Sequence, residues 1–267
     1  FINNKATFGG AIYNNGTIIL NNCTFKANVA SVSGGAIYNL QDDLTIQDST
    51  FIGNYAKIKN GILQGGAIAN YANNLTVDNC SFVKNHLFNT NWYKNGKMYG
   101  GAIYLPYGEL SISNCKFINN SAHWFGGAIA SENECGISIT GTTFENCRSV
   151  DDAGGAIYAF STDLEVKDSI FNNCSANFAG AICSLNSEML ISYSNFTNNL
   201  ARYEGGAIYK MYGSGTVIKS NFTKNAALNG GALFSDNCTS FEIRNSEFVS
   251  NAATGFGGAI FSNANPK

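Results

Sequence analysis

Two short motifs alternate along the whole chain, and this alternation constrains the fold more than any other feature. The tetrapeptide Gly-Gly-Ala-Ile, with Ala-Gly-Ala-Ile and Gly-Gly-Ala-Leu as variants, occurs ten times between Gly9 and Gly257. Ten Phe-x-x-Asn or Phe-x-x-Cys motifs are interleaved with it, at Phe1, Phe25, Phe51, Phe82, Phe117, Phe144, Phe171, Phe196, Phe222 and Phe248. A repeat of about 28 residues predicts a solenoid, in which each unit packs on its neighbours.

The spacing within each repeat indicates short strands. Sixteen to eighteen residues separate each tetrapeptide from the next phenylalanine, whereas the return arc varies from 8 to 18 residues. Apolar residues recur seven and five positions before most of these phenylalanines, as in Leu44 and Ile46 before Phe51, which is the period of a strand. Asn or Asp often follows at a predicted bend. The pattern predicts an all-β parallel β-helix of about ten coils with three short strands per coil, and with ladders of stacked phenylalanines and asparagines.

Composition sets the remaining limits. The 267 residues carry a net charge of -2, which argues against a nucleic-acid partner. No apolar run approaches the roughly 20 residues that span a bilayer, so direct membrane insertion is not expected. Two histidines and the lack of Cys-x-x-Cys argue against a metal site, and no cofactor is expected. Residues 1–267 are interpreted as one β-helix domain, and the start in mid-pattern suggests an excerpt of a longer repeat protein.

The paired motifs resemble two groups of repeat proteins. Repeated Gly-Gly-Ala-Ile alternating with Phe-x-x-Asn is similar to the repeats of chlamydial polymorphic outer-membrane proteins. The same pairing resembles adhesin-like surface proteins of methanogenic archaea. The resemblance covers nearly all of the chain, and it implies a right-handed β-helix, an extracellular or cell-surface location and a role in adhesion. It implies no catalytic residue.

One edge of the rod is a candidate binding platform. The longest return arc, residues 86–99, carries several aromatic residues, and the next coil adds more in the same arc. The predicted ligand-binding residues are Phe88, Trp92, Tyr93, Tyr99, His123, Trp124 and Phe125. Exposed aromatic rings suit stacking on sugars or anchoring in a protein partner. The alternative is that these side chains pack on one another to hold the long arc in place.

Acidic residues recur at one phase of the repeat and raise a second possibility. Four acidic residues, Asp43, Glu109, Asp163 and Glu188, and the amide Asn74 stand nine positions after the start of their tetrapeptides. Cys135 interrupts this column, and no cation accompanies it. Paired carboxylates could bind Ca²⁺ or cleave glycosidic bonds. Arg148 near Asp151, and Arg202 near Glu204, are interpreted as solvated turn charges.

The eight cysteines allow two interpretations. Cys147 and Cys174 replace asparagine in adjacent coils, at a spacing of about 4.8 Å that a disulfide can bridge. They form the best candidate disulfide. The alternative is that the cysteines are small buried core residues.

Taken together, these features favour a surface adhesin that acts as a rigid stalk or passenger. Its expected partners are glycans or surface proteins of another cell. A polysaccharide-active lyase or hydrolase is the second hypothesis. A filament subunit that associates end to end is the third.

Overall fold

Successive coils stack in parallel register along the chain. The computed structural model describes residues 1–58, 61–89 and 97–263. Every strand pair in these ranges is parallel, and the strands form three sheets of 17, 9 and 12 strands. We call them sheets I, II and III, in the order in which the chain visits them after each glycine corner.

Sheet I receives the strand that begins in the tetrapeptide and the aliphatic strand that follows it. Its strands are Ile12–Asn15, Ile18–Asn21, Ile37–Gln41, Leu44–Gln47, Ile68–Asn70, Asn74–Asp78, Ile103–Leu105, Glu109–Ser113, Ile129–Ser131, Cys135–Thr140, Ile157–Phe160, Thr162–Lys167, Ile182–Ser192, Ile208–Ile218, Leu233–Asp236, Ser240–Arg244 and Ile260–Asn263. Alternate side chains point into the core, as Leu75 and Val77 do. Most coils therefore place two strands in this sheet, and two coils merge them into one strand of 11 residues.

Sheet II carries the phenylalanine column. Its strands are Thr24–Lys26, Thr50–Ile52, Ser81–Val83, Lys116–Ile118, Thr143–Glu145, Ile170–Asn172, Asn195–Thr197, Asn221–Thr223 and Glu247–Val249. Each central phenylalanine pairs in register with the next, and neighbouring rings stack with centroids 4.6–4.9 Å apart. The rings from Phe25 to Phe222 are fully buried. The predicted stack is confirmed.

Sheet III occupies the return arc and presents small residues to the core. Its strands are Lys5–Phe8, Val29–Ser33, Tyr55–Ile58, Leu63–Gln64, His86–Asn89, Met98–Tyr99, Ser121–Ala122, Arg148–Ser149, Ser175–Phe178, Leu200–Glu204, Ala226–Ala227 and Ala252–Ala253. Ala30, Ala56 and Ala122 point inward. Long insertions enter at this arc because only its start and end are fixed by the corners.

An asparagine ladder closes the bend between sheets II and III. The amide of Asn54 donates to Asn85 Oδ1 at 3.0 Å and to the carbonyl of Phe25 at 3.0 Å. Asn85 Oδ1 also accepts the Asn54 backbone N–H at 3.0 Å. These asparagines are fully buried, and the ladder supplies their hydrogen bonds. The expected ladder is confirmed, with Cys147 and Cys174 interrupting it.

The corner between sheets III and I needs glycine for two different reasons. The first glycine has a left-handed backbone, with φ of 72° at Gly100. The second touches the next coil: a Cβ on Gly101 would lie 2.1 Å from the Gly127 carbonyl oxygen. The predicted parallel β-helix is confirmed, and the refinement is that two strands per coil usually share sheet I.

Candidate functional site

The outer face of sheet III carries the exposed residues of the predicted platform. Tyr55 pairs in register with His86, and their rings stack 5.0 Å apart. Two residues further along the same strands, Lys57 Nζ lies 5.5 Å from the centroid of the Phe88 ring. Phe88 is 44% exposed, which leaves a ring available to a ligand. We call these four residues and His123 the aromatic patch.

His123 extends this patch into the next coil. Its Nδ1 lies 3.2 Å from Asp151 Oδ2, and both side chains are about a quarter to a third exposed. The Asp151 backbone N–H donates to the His123 carbonyl at 2.7 Å. The imidazole is therefore oriented by the following coil.

The side chains of Tyr99 and Phe125 pack against each other and against neighbouring aromatic rings. Their rings stack 5.1 Å apart, and Phe125 also lies 4.4 Å from the ring of Tyr158. They are part of an aromatic cluster outside the glycine corner that includes Tyr104 and Tyr158. Burial raises the pKa of Tyr99 above its ordinary value, since the phenolate would lose its hydration. For these two residues the structure matches the alternative of mutual packing.

Trp124 is only partly exposed, and it packs on the small core cluster that contains Leu87 and Met98. Its indole Nε1 is buried and has no hydrogen-bond acceptor among the described residues. Trp92 and Tyr93 lie outside the described residues. The structure thus places Phe88 and His123 on one face, and the binding role of the seven residues stays a prediction.

The acidic column runs along sheet I with Gly136 in one of its positions, so its register differs from the sequence-based prediction. Glu109 pairs with Gly136 instead of Cys135, and Gly136 pairs with Asp163. The reason is a turn with left-handed residues at both Asn133 and Glu134, which shifts the coil by one position. A Cβ on Gly136 would lie 2.1 Å from the carboxylate of Glu109, so that side chain leans over the glycine.

A groove of about 460 Å³ follows this column. Glu109, Asp163, Glu165 and Glu188 line it, and Asp163 Oδ1 accepts the Glu188 backbone N–H at 2.9 Å. Its lining contains no lysine, arginine or histidine. Among the described residues, no three His, Cys, Asp or Glu side chains are close enough together to hold a metal ion.

The proposed disulfide is not formed. All eight cysteines are free thiols, and Cys147 and Cys174 are buried in adjacent positions of the asparagine ladder. Burial and the neighbouring Cys147 raise the pKa of the Cys174 thiol. In the structure, Cys147 and Cys174 are instead two buried thiols in the core.

A second groove on the outer face of sheet III was not predicted. Its volume is about 600 Å³, and Arg148 and Arg202 line it together with aliphatic and small residues. The interpretation of Arg148 and Arg202 as solvated turn charges did not predict that both side chains lie on the same face of sheet III. The available signal was their position: both stand at outward-pointing positions of return-arc strands.

Comparison with known proteins supports the architecture. Residues 100–266 match the family model of the right-handed β-helix region. Residues 22–40 match the Chlamydia polymorphic membrane protein repeat. No curated protein and no solved structure matches the chain significantly. Within the described residues, no helix has the length and apolar character needed to cross a membrane.

Proposed function

Since the chain belongs to the right-handed β-helix family, we propose that it is a cell-surface adhesion module whose rigid rod presents the aromatic patch to glycans or surface proteins of another cell. The exposed Phe88 ring beside Lys57 is the observation that carries this proposal. A ring with one open face and polar neighbours suits stacking on a sugar. The match to a polymorphic membrane protein repeat supports the surface location.

The rod itself supports the same role. Its interior is filled by phenylalanine, aliphatic and asparagine ladders. Specificity therefore has to come from outward-facing side chains, which can vary without disturbing the ladders. The aromatic patch lies beside the longest insertion of the return arc, so a variable loop and a fixed strand surface meet there.

A glycan-array screen of the purified chain tests the proposal, with soluble sugars analysed in parallel. We expect saturable binding without product, and Phe88→Ala or Trp92→Ala should weaken it at least about tenfold, since an anchoring aromatic contributes more than about 1 kcal/mol. Phe160→Ala is the matched control, because Phe160 is 39% exposed on sheet I. Binding that survives Phe88→Ala unchanged would exclude the aromatic patch as the attachment site.

The second candidate is a polysaccharide-active enzyme, and the acidic groove is the observation that favours it. Two carboxylates on neighbouring coils could act as acid and base on a bound sugar. The same screen separates the candidates: shortened or unsaturated sugars that disappear in Glu109→Gln or Asp163→Asn would establish the enzyme instead of the adhesin.

A further inference from the structure

The arginine groove on sheet III has no role in the proposed attachment through the aromatic patch. It lies on the coils that follow the patch, and its volume of about 600 Å³ falls within the range of ligand pockets. Its lining includes Arg148, Val150, Ser175, Leu200, Arg202 and Leu228, together with several alanines. Small residues at the centre leave the space, and longer side chains form the walls.

Neither arginine of the groove forms an ion pair with a described residue. The chain contains three arginines, and the third, Arg244, pairs with both carboxylate oxygens of Glu242. Among the described residues, neither Arg148 nor Arg202 lies within ion-pair distance of a carboxylate. Arg202 lies 5.1 Å from the Tyr203 ring, and both arginines are exposed. Two guanidinium groups are therefore available to an external anion.

The nearby carboxylates do not neutralise the groove. Asp151 faces His123 on the neighbouring coil. Glu204 is partly buried and makes no ion pair among the described residues. Guanidinium groups form planar, bidentate hydrogen bonds that match a carboxylate better than an ammonium does.

The register fixes the spacing of the two arginines. Arg148 pairs with Ser175, and Ser175 pairs with Leu200, so Arg148 and Leu200 share one column two coils apart. Arg202 stands two residues beyond Leu200 on the same face. With about 4.8 Å per coil and about 3.3 Å per residue, the two Cα atoms are separated by roughly 12 Å.

Aliphatic side chains stand on either side of the line that joins the two arginines, Leu200 on one side and Val150 on the other, whereas Leu228 lies one coil beyond Arg202. Leu200 is 53% exposed and Leu228 is 42% exposed, and Val150 also lines the groove. No aromatic ring is present in the lining, although stacking on rings is a common means of holding sugars. Aliphatic walls between two cations favour a ligand that carries an apolar group between two anions.

We propose that this groove binds an extended acidic peptide segment in which two carboxylate side chains flank an aliphatic one. In an extended chain, residues i, i+2 and i+4 point to one side, and the outer two are about 13 Å apart. This spacing matches that of Arg148 and Arg202, and the middle side chain would lie between Leu200 and Val150. This site is separate from the aromatic patch. It would bind a protein partner in addition to the glycan or surface protein proposed for the patch.

Fluorescence anisotropy with the full chain tests this assignment. The probe is a labelled peptide Gly-Glu-Thr-Leu-Thr-Glu-Gly, and the control peptide carries Gln in place of both Glu. We expect saturable binding of the acidic peptide with a dissociation constant on the order of 10–100 µM, and at least tenfold weaker binding of the control.

Protein variants localise the binding. Arg148→Gln and Arg202→Gln should each weaken it at least about tenfold, whereas Arg244→Gln, the matched control outside the groove, should change it less than about twofold. Ser175→Tyr fills the groove and keeps both arginines, so it should also abolish binding. Phe88→Ala should leave peptide binding unchanged, which separates this site from the aromatic patch. Thermal melts of each variant verify folding.

Three results would overturn the proposal. The first is the lack of saturable peptide binding, and the second is an equal loss in Arg244→Gln, which would indicate unspecific charge attraction. The third is tighter, groove-dependent binding of heparin or polygalacturonate than of the peptide, which would assign the groove to an anionic polysaccharide.

Discussion

Among the described residues, Lys210 is the charged side chain that the core buries completely. It stands in an inward column of sheet I, between Ser184 and Ser235. Its Nζ donates to the carbonyl oxygens of Ser187 at 2.8 Å and Tyr212 at 2.5 Å. Burial lowers the pKa of Lys210 below its ordinary 10.5, and nearby Cys238, Cys183 and Asp163 oppose this shift.

The lowered pKa makes stability depend on pH in a defined direction. Between the folded-state pKa and 10.5 the unfolded chain binds more protons, so the free energy of unfolding rises with pH in that window. Relative to Lys210→Met, the wild-type protein should gain up to about 1.4 kcal/mol per pH unit there. Urea unfolding of both proteins at pH 7, 8.5 and 10 measures this. Lys116→Met, at an exposed position, is the control; a constant difference between wild type and Lys210→Met at all three pH values would refute the prediction.

For single residues, the sequence predicts well which side chains point into the core and stack on their equivalents in the next coil. Phe82 and Asn85 recur at fixed phase because each contacts its own equivalents in the adjacent coils. Lys210 could not be anticipated, since the equivalent positions hold Ser184 and Ser235, and nothing local marks the lysine as buried. Its hydrogen-bond acceptors, the carbonyls of Ser187 and Tyr212, become apparent only from the backbone path.

At the scale of the element, the glycine corner joins sheet III to sheet I in every coil. Its first position tolerates alanine, since Ala179 occupies it with φ of 56°. Its second position is glycine in all ten copies. The reason is the approach of two backbones, since at Gly101 an added Cβ would also lie 2.5 Å from the Ser121 carbonyl oxygen.

Gly101→Ala should therefore separate adjacent coils. We expect a loss of more than about 3 kcal/mol in the free energy of unfolding, because the clash is with backbone atoms that cannot rotate away. Chemical denaturation followed by circular dichroism measures the loss. Gly16→Ala is the control, since nothing lies within 4 Å of a Cβ there; comparable losses in both variants would contradict the explanation.

The strands and bends are predicted less completely than the stacked core residues. The left-handed bends before each phenylalanine occur at Asn22, Asp48 and Asn79, where the slip in the apolar pattern placed them. The shift from Cys135 to Gly136 was missed because the column was counted from the tetrapeptide, although the extra turn residue at Asn133 and Glu134 places Ile137 11 residues after Gly126, compared with 10 residues from Gly100 to Leu110. Turn length is a property of backbone angles, and composition alone does not specify it.

Along the whole rod, each coil pairs, in its described strands, only with the coils directly before and after it. Ser175 pairs with Arg148 on one side and with Leu200 on the other. Stability in such a rod is approximately a sum over coils and their interfaces. One coil can thus be removed if its two neighbours are left in matching register.

Deletion of residues 175–199 removes one whole coil and joins Cys174 to Leu200. The shortened chain should fold with unchanged β-sheet content, and its rod should be about 4.8 Å shorter. Circular dichroism and small-angle scattering measure these properties. Deletion of residues 175–187 removes about half a coil and should unfold the protein, because the sheets would be brought out of register. Two equally well-folded deletions would argue against coil-wise assembly.

The candidate sites could be predicted from the sequence only in part. Phe88 and His123 share a face because the return-arc strands pair in register, which the repeat predicts. Tyr99 and Phe125 are packed because a second aromatic cluster covers the glycine corner, and this cluster depends on contacts between different arcs. The arginine groove was missed for the same reason, since Arg148 and Arg202 are 54 residues apart in sequence and meet through the stacking of coils.

The parallel pairing of coils also determines how the rod responds to force. Hydrogen bonds between strands run along the rod axis in all three sheets, and the asparagine ladder adds side-chain bonds in the same direction. A pull on opposite ends stretches the bonds at an interface between two coils together, so the load is shared across its perimeter. Peeling one strand away from a corner would load them one after another. A stalk of this construction is therefore expected to resist axial tension and to yield more readily to a force applied from the side.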